Sequence, residues 1–168
     1  MNIFITSECP IESANNLDSK RVNKMLLESC QMLSTAVNEC GGKAPYRSTH
    51  KNHPSNVWVR QSKKNYSWLW SHADQLAHIY TQETGKIHKC QAILSELSEY
   101  HNYKLIPDGD ITSIPNCAAN KEKGISFKHI TDTFEAYRLY LVARWNTDTL
   151  KPKWKNRQTP TFYEVTNV

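Results

Sequence analysis

"NNLDSKRVNKMLLESCQMLSTAVNECGG", residues 15–42, decides how the rest of the chain is read. From Val22 the apolar positions Val22, Met25, Leu26, Leu33, Ala36 and Val37 recur mostly at three- to four-residue steps, and the stripe stops at Gly41-Gly42. That period lays one helix face against a core, and the glycines end it. The spacing predicts a helix over about residues 19–40.

The start of that helix is unusual, because Asp18, Lys20, Arg21 and Lys24 crowd into seven residues. A helix start offers free backbone N–H groups and the positive end of the dipole, so Lys20, Arg21 and Lys24 there make a natural phosphate site. Asp18 has two readings. It caps the helix by accepting a backbone N–H, or it is an acid or base placed among cations.

Outward from this helix the same logic marks four more. Ser55 after Pro54 caps a short helix through Val57, Trp58 and Val59, broken near Asn65; Tyr66 to Thr81 carries an aromatic-rich apolar face that stops at "ETGK", residues 83–86. Ile87 to Tyr100 and Thr131 to Trp145 repeat the helical spacing, with a long loop over 102–127 between them. The tail "KPKWKNRQTPTFYEV" is read as non-helical because of Pro152 and Pro160. No segment shows sustained strand alternation, no repeat or heptad seam occurs, and five glycines leave no Gly-rich phosphate loop. The expected fold is all-α: a compact single domain over 1–168, with four to six helices and a basic, aromatic C-terminal tail.

The 168 residues suit one domain, and a hydrophobic share of 39% with five Trp and eight Tyr is enough for a core. A net charge of +5 favours phosphate-bearing partners. The five cysteines (Cys9, Cys30, Cys40, Cys90 and Cys117) form no C-x-x-C pair, which fits reduced thiols and a cytoplasmic protein. There is neither a signal-like start nor an apolar run of membrane length.

Two further segments bear on chemistry. "YRSTHKNHPS", residues 46–55, holds Arg47, His50, Lys51, Asn52 and His53, which together suit an anion-binding or proton-moving loop. Its H-x-x-H spacing lacks a marked third ligand, so no metal is expected, and packing or capping histidines are the competing reading. In the tail, Lys151, Lys153, Lys155 and Arg157 interleave with Trp154 and precede Phe162 and Tyr163. Such a pattern stacks on bases while contacting phosphate, or else straps the tail onto the helices. Trp58, Trp68 and Trp70 read as core, and Arg60, Lys63 and Lys64 as a solvated face.

"MNIFIT" followed by "NLDSKRVNKM" resembles the start of the pyrimidine-dimer DNA glycosylase (phage endonuclease V) family through Met1, Phe4, Leu17, Asp18, Lys20 and Arg21. "HKNHP" at 50–54 is similar to a block of the family's short relatives, "TPTFY" at 159–163 to a closing aromatic motif, and "THKNHPS" to a stretch shared by a group of phage proteins. The resemblance implies a compact helical fold in which the N-terminal α-amine attacks C1′ of a damaged nucleotide, an acid assists and arginines hold the backbone. By matching position Asp18 stands at the acid, Arg21 at a backbone-binding arginine and the Met1 amine at the nucleophile. An α-amine with pKa near 7.7–8.0 is far more often neutral than a lysine near 10.4, which suits this role. The acid here is Asp where the characterised phage enzyme has Glu. Asn2 is too large for efficient removal of Met1, whose side chain is then expected to crowd the amine.

The expected function is therefore a DNA glycosylase, with AP-lyase activity as a companion step, acting on a damaged or modified base flipped out of the stack. The alternative is a noncatalytic nucleic-acid or nucleotide-binding phage protein on the same scaffold, with counter-defence as one use. A third reading is another nucleotide enzyme using Asp18 and the histidines as acid and base. DNA is the expected partner and a nucleotide ligand the second choice, with no cofactor, no membrane and a cytoplasmic location, the host's if the protein is phage-encoded. Candidate contacts are Lys20, Arg21, Lys24, Arg47, His50, Lys51, Asn52, His53, Lys153, Trp154, Lys155 and Arg157.

Overall fold

The structure, a computed structural model, describes residues 1–101 and 105–164. The fold is all-α, and the five helices read from spacing are present. They are α2 (Ser19–Glu39), α3 (Pro54–Val59), α4 (Lys63–Thr84), α5 (Cys90–Ser98), which runs into a 3₁₀ turn at Glu99–His101, and α6 (Thr133–Thr147). Two short helices join them: α1 (Pro10–Asn15) and α7 (Thr161–Glu164). The only strands among the described residues are β1 (Ala119–Asn120) and β2 (Ile125–Ser126), an antiparallel pair with Ala119 opposite Ser126.

Local chemistry fixes the boundaries. Asp132 caps α6 by accepting from the N–H groups of Phe134 (2.9 Å) and Glu135 (3.3 Å). Ser62 caps α4 through the Asn65 N–H (3.1 Å), and Gly85 ends it at φ 68°, a conformation that favours glycine. Gly42, just past α2, is needed for space: a Cβ there would meet Val37 at 2.6 Å and Leu105 at 2.9 Å.

Two local expectations are corrected. Asn65 does not break a helix. It sits inside α4, where its side chain donates to the Trp58 carbonyl (2.7 Å) and accepts from the Thr112 N–H (2.9 Å), so the break falls before Lys63. The tail does contain one helical turn, α7, because Pro160 precedes it and proline is tolerated at a helix start.

Helices α2 and α4 pack along each other; α1 lies on α4, and α3 and α5 flank the pair. Trp58, Tyr66, Tyr137 and Trp145 are the bulkiest fully buried side chains. The indoles of Trp58, Trp68 and Trp70 donate to the carbonyls of Thr112, Glu8 and Leu94, so all three serve packing. Lys63 and Lys64 pair with Asp108 and Asp110 across the loop. The N-terminal stretch is threaded into the core, with Ile3 and Ile5 each 1% exposed. Between them Phe4 takes φ 59° and stacks on Tyr140 at 5.7 Å. This threading places Met1 and Asn2 against the middle of α2. Among the described residues no helix is long and apolar enough to cross a membrane.

Candidate functional site

At the start of α2, Asp18 occupies the N-cap position but makes no side-chain cap bond. Its carboxylate turns inward instead. Oδ1 accepts from Arg21 Nη1 (2.8 Å) and from the Trp145 indole (2.7 Å), and Arg21 Nη2 donates to Asp148 (2.7 Å). Asp148 is held in turn by Lys123 (3.2 Å) and lies 4.0 Å from Arg144. The cluster is buried, with side-chain exposures of 2% for Asp18, 9% for Arg21 and 8% for Asp148. Burial alone would lower the Arg21 pKa, but the adjacent Asp18 and Asp148 carboxylates raise it. For Asp148 burial works against ionisation, and Arg21 and Lys123 outweigh it and hold the carboxyl below its usual range. The arrangement bolts the start of α2 to the end of α6.

The carboxylate beside the N-terminal amine belongs to Glu28. The Met1 amine lies 3.9 Å from Glu28 Oε2, which also accepts the Asn2 N–H at 3.2 Å, while Oε1 is 3.6 Å from Lys24 Nζ. Asp18 is ten positions earlier, about 15 Å along the helix axis at 1.5 Å per residue. Met1 does not crowd its own amine. The side chain points inward at 4% exposure, with Sδ 3.2 Å from Asn56 Nδ2. The residue as a whole is half-buried, so the part that faces solvent is its main chain. Asn2 is fixed by donating to the Cys117 carbonyl (3.1 Å) and accepting from the Tyr137 hydroxyl (2.8 Å).

The 46–55 loop is tied to α2 and α3 beside the Met1 side chain. Thr35 Oγ1 accepts from the Thr49 N–H (3.1 Å), and Asn56 Nδ2 donates to the carbonyls of Thr49 and His50 (2.9 Å each). Those two carbonyls and Met1 Sδ fix the Asn56 amide, whose Oδ1 is buried without a partner. His50 adopts φ 46°, a left-handed conformation that costs a non-glycine residue of order 1 kcal/mol or more and recurs at functional sites. His53 is the N-cap of α3, and its Nδ1 accepts from the Ser55 N–H (3.2 Å), so the neutral ring carries its proton on Nε2. Burial lowers the His53 pKa, the charges of the Met1 amine, His50 and Lys128 lower it further, and Glu28 opposes them. The imidazole is thus neutral near pH 7. Arg47 and Asn52 are exposed, and Lys51 lies 3.9 Å from Glu39.

The tail divides by residue. Trp154 is 5% exposed, meets Trp145 edge-on at 5.0 Å and donates to the Asn16 carbonyl, so it straps the tail down and cannot stack on a base. Arg157 pairs with Glu83 (2.9 Å) and donates to the Asn15 carbonyl. Lys153 and Lys155, on either side of Trp154, instead line a cavity of about 420 Å³ with Lys20, Lys151, Asp18, Ser19, Thr149 and Leu150.

The structure therefore gathers the sequence-predicted residues into two places: Met1, His50 and His53 near Glu28, and Lys20, Lys153 and Lys155 around the cavity. Arg21, Trp154 and Arg157 are spent on packing and ion pairs. Sequence reasoning missed Glu28; the one available signal was its position eight residues after Lys20 and four after Lys24, on the polar face of the strongest helix. Among the described residues no group of three or more His, Cys, Asp or Glu is placed to hold a metal ion. No family model, no curated protein and no solved structure matches the chain.

Proposed function

We propose that the protein is a DNA glycosylase with an associated lyase step, in which the Met1 amine is the nucleophile and Glu28, rather than Asp18, the assisting carboxylate. The observation that carries this reading is the main-chain amine of a half-buried Met1 3.9 Å from a carboxylate that is only 16% exposed, beside a neutral His53.

The neutral amine uses its lone pair to form a bond to C1′ of the flipped nucleotide. The N-glycosidic bond breaks and the base leaves with the electron pair, collecting a proton. Loss of the amine's proton to Glu28 and opening of the C1′–O4′ bond, with a proton delivered to O4′, give an imine. Removal of a C2′ proton by His53 then expels the 3′ phosphate, and hydrolysis frees the amine. Asp18 and Arg21 hold α2 in place and do not touch the nucleotide. DNA is the partner, and free thiols suit a cytoplasmic site of action.

Borohydride trapping on a duplex with an abasic site tests the proposal. The parent protein should form a covalent adduct, and a chain extended at the N-terminus should form none. Glu28→Gln should slow trapping by roughly a hundredfold, the usual worth of one acid–base group. Absence of any adduct favours the second reading, a binder without chemistry, which the lysine-lined cavity supports.

A further inference from the structure

We infer that the four-lysine cavity at the start of α2 binds the phosphodiester backbone of a nucleic-acid strand, so that the substrate is an extended strand rather than a free nucleotide. The orientation of the strand rests on the proposed function, whereas the binding itself stands on the cavity. Lys20, Lys151, Lys153 and Lys155, all exposed, line about 420 Å³ of open space. The single carboxylate in the lining, Asp18, is engaged by Arg21 and Trp145 and is 2% exposed. Among the described residues no carboxylate pairs with Lys20, Lys151 or Lys153, and Lys155 donates to a carbonyl of Glu83. With the nearby Asp18 and Glu83 carboxylates engaged by Arg21 and Arg157, the gathered lysines repel one another, and an anion relieves that repulsion.

The cluster is also built rather than accidental. The Lys153 carbonyl accepts the N–H of Ser19 (2.8 Å), and the Ser19 hydroxyl lies 2.9 Å from both that carbonyl and Glu83 Oε1, tying the tail to α2. Trp154, buried between Lys153 and Lys155, pins both lysines beside the cavity, and Lys155 holds φ 43°, a strained value for a residue with a side chain. Because Ser19 is occupied in this way, the recognition comes from the ammonium groups.

A strand is favoured over a small phosphate because the cations continue along α2. Lys20, Lys24 and Glu28 are each four residues apart and lie on one face, so successive positions are about 6 Å apart along the axis. The Lys24 side chain is 73% exposed and its 3.6 Å pair with Glu28 is weak enough to be exchanged for a phosphate. A backbone seated in the cavity and passing Lys24 reaches Glu28 and the Met1 amine after about 12–15 Å, or roughly three nucleotides.

The test is fluorescence anisotropy with a labelled single-stranded oligothymidylate of about 12 nucleotides, a length within the range that single-strand binding grooves cover. The variant combines Lys20→Ala, Lys151→Ala and Lys153→Ala; the control removes the same charge elsewhere with Lys86→Ala, Lys89→Ala and Lys121→Ala. The cavity variant should bind at least tenfold more weakly, and its log–log salt slope should shrink by about 2, at roughly 0.7 per phosphate for single strands. The control should stay near the parent. Equal losses in both variants, or no loss in either, overturn the inference. So does thymidine 5′-phosphate competing as well as the oligonucleotide, which would make the cavity a nucleotide pocket. Borohydride trapping on the same proteins is read separately: lysine-dependent binding without an adduct keeps this inference and removes the glycosylase reading, and an adduct with lysine-independent binding does the reverse.

Discussion

Replacing Asp18 separates a structural carboxylate from a chemical one. In Asp18→Ala the Trp145 indole N–H, in a residue with 0% exposure, loses its acceptor, and Arg21 keeps only Asp148. An orphaned buried donor costs about 1–3 kcal/mol, and breaking a buried ion pair about 3–5 kcal/mol in total. At roughly 2–4 °C per kcal/mol for a chain of this size, the melting temperature should fall by about 6–20 °C. Asp18→Asn, which keeps an oxygen acceptor, should cost less. Thermal unfolding followed by circular dichroism reads the loss, and trapping at a temperature where both variants remain folded reads the chemistry. A structural role for Asp18 requires an unstable Asp18→Ala and a folded Asp18→Asn that still traps. A melting temperature unchanged in Asp18→Ala, together with trapping lost in Asp18→Asn, would refute it and return Asp18 to the role of catalytic acid.

Other consequences follow from the packing. His72 is wholly buried, donates from Nδ1 to the Pro10 carbonyl at 3.1 Å and leaves Nε2 without a partner, so burial pushes its pKa down to about 4. Because the folded value lies below that of the unfolded chain, near 6.5, this residue's contribution is intact above about pH 6.5 and lost as pH falls toward 4. Urea unfolding at several pH values should show that decline, and His72→Gln should flatten it. Trp154→Ala should destabilise the protein by about 3–5 kcal/mol, as expected for a buried tryptophan, and should release the tail to proteases while weakening oligonucleotide binding through loss of the lysine cavity. A variant that melts like the parent would mean the tail is not strapped by this residue.

The helices were legible because their information is local. Apolar spacing in α2, α4, α5 and α6 and the glycines at 41–42 and 85 mark elements that form where the pattern says. The short α1 has too few residues to show a period, and Asn65 misled because its propensity was overridden by a tertiary contact to Thr112. The candidate site was only half legible. Lysines and histidines announce themselves by type, but their partners are set by folding. Asp18 read as a cap or as an acid because Trp145 and Asp148 lie more than a hundred residues away along the chain, and Glu28 went unmarked because only the threading of Ile3 and Ile5 into the core brings Met1 to it. Of the two tail readings, the strap applies to Trp154 and Arg157, while Lys153 and Lys155 line the cavity.

The most direct measurement is to trap the protein on an abasic-site duplex with borohydride, digest it and locate the adduct by mass spectrometry. The adduct should be a reduced sugar on the α-nitrogen of Met1, abolished by acetylation of that nitrogen and slowed in Glu28→Gln. An adduct on a lysine, or an equal yield from the acetylated protein, would contradict the proposed function.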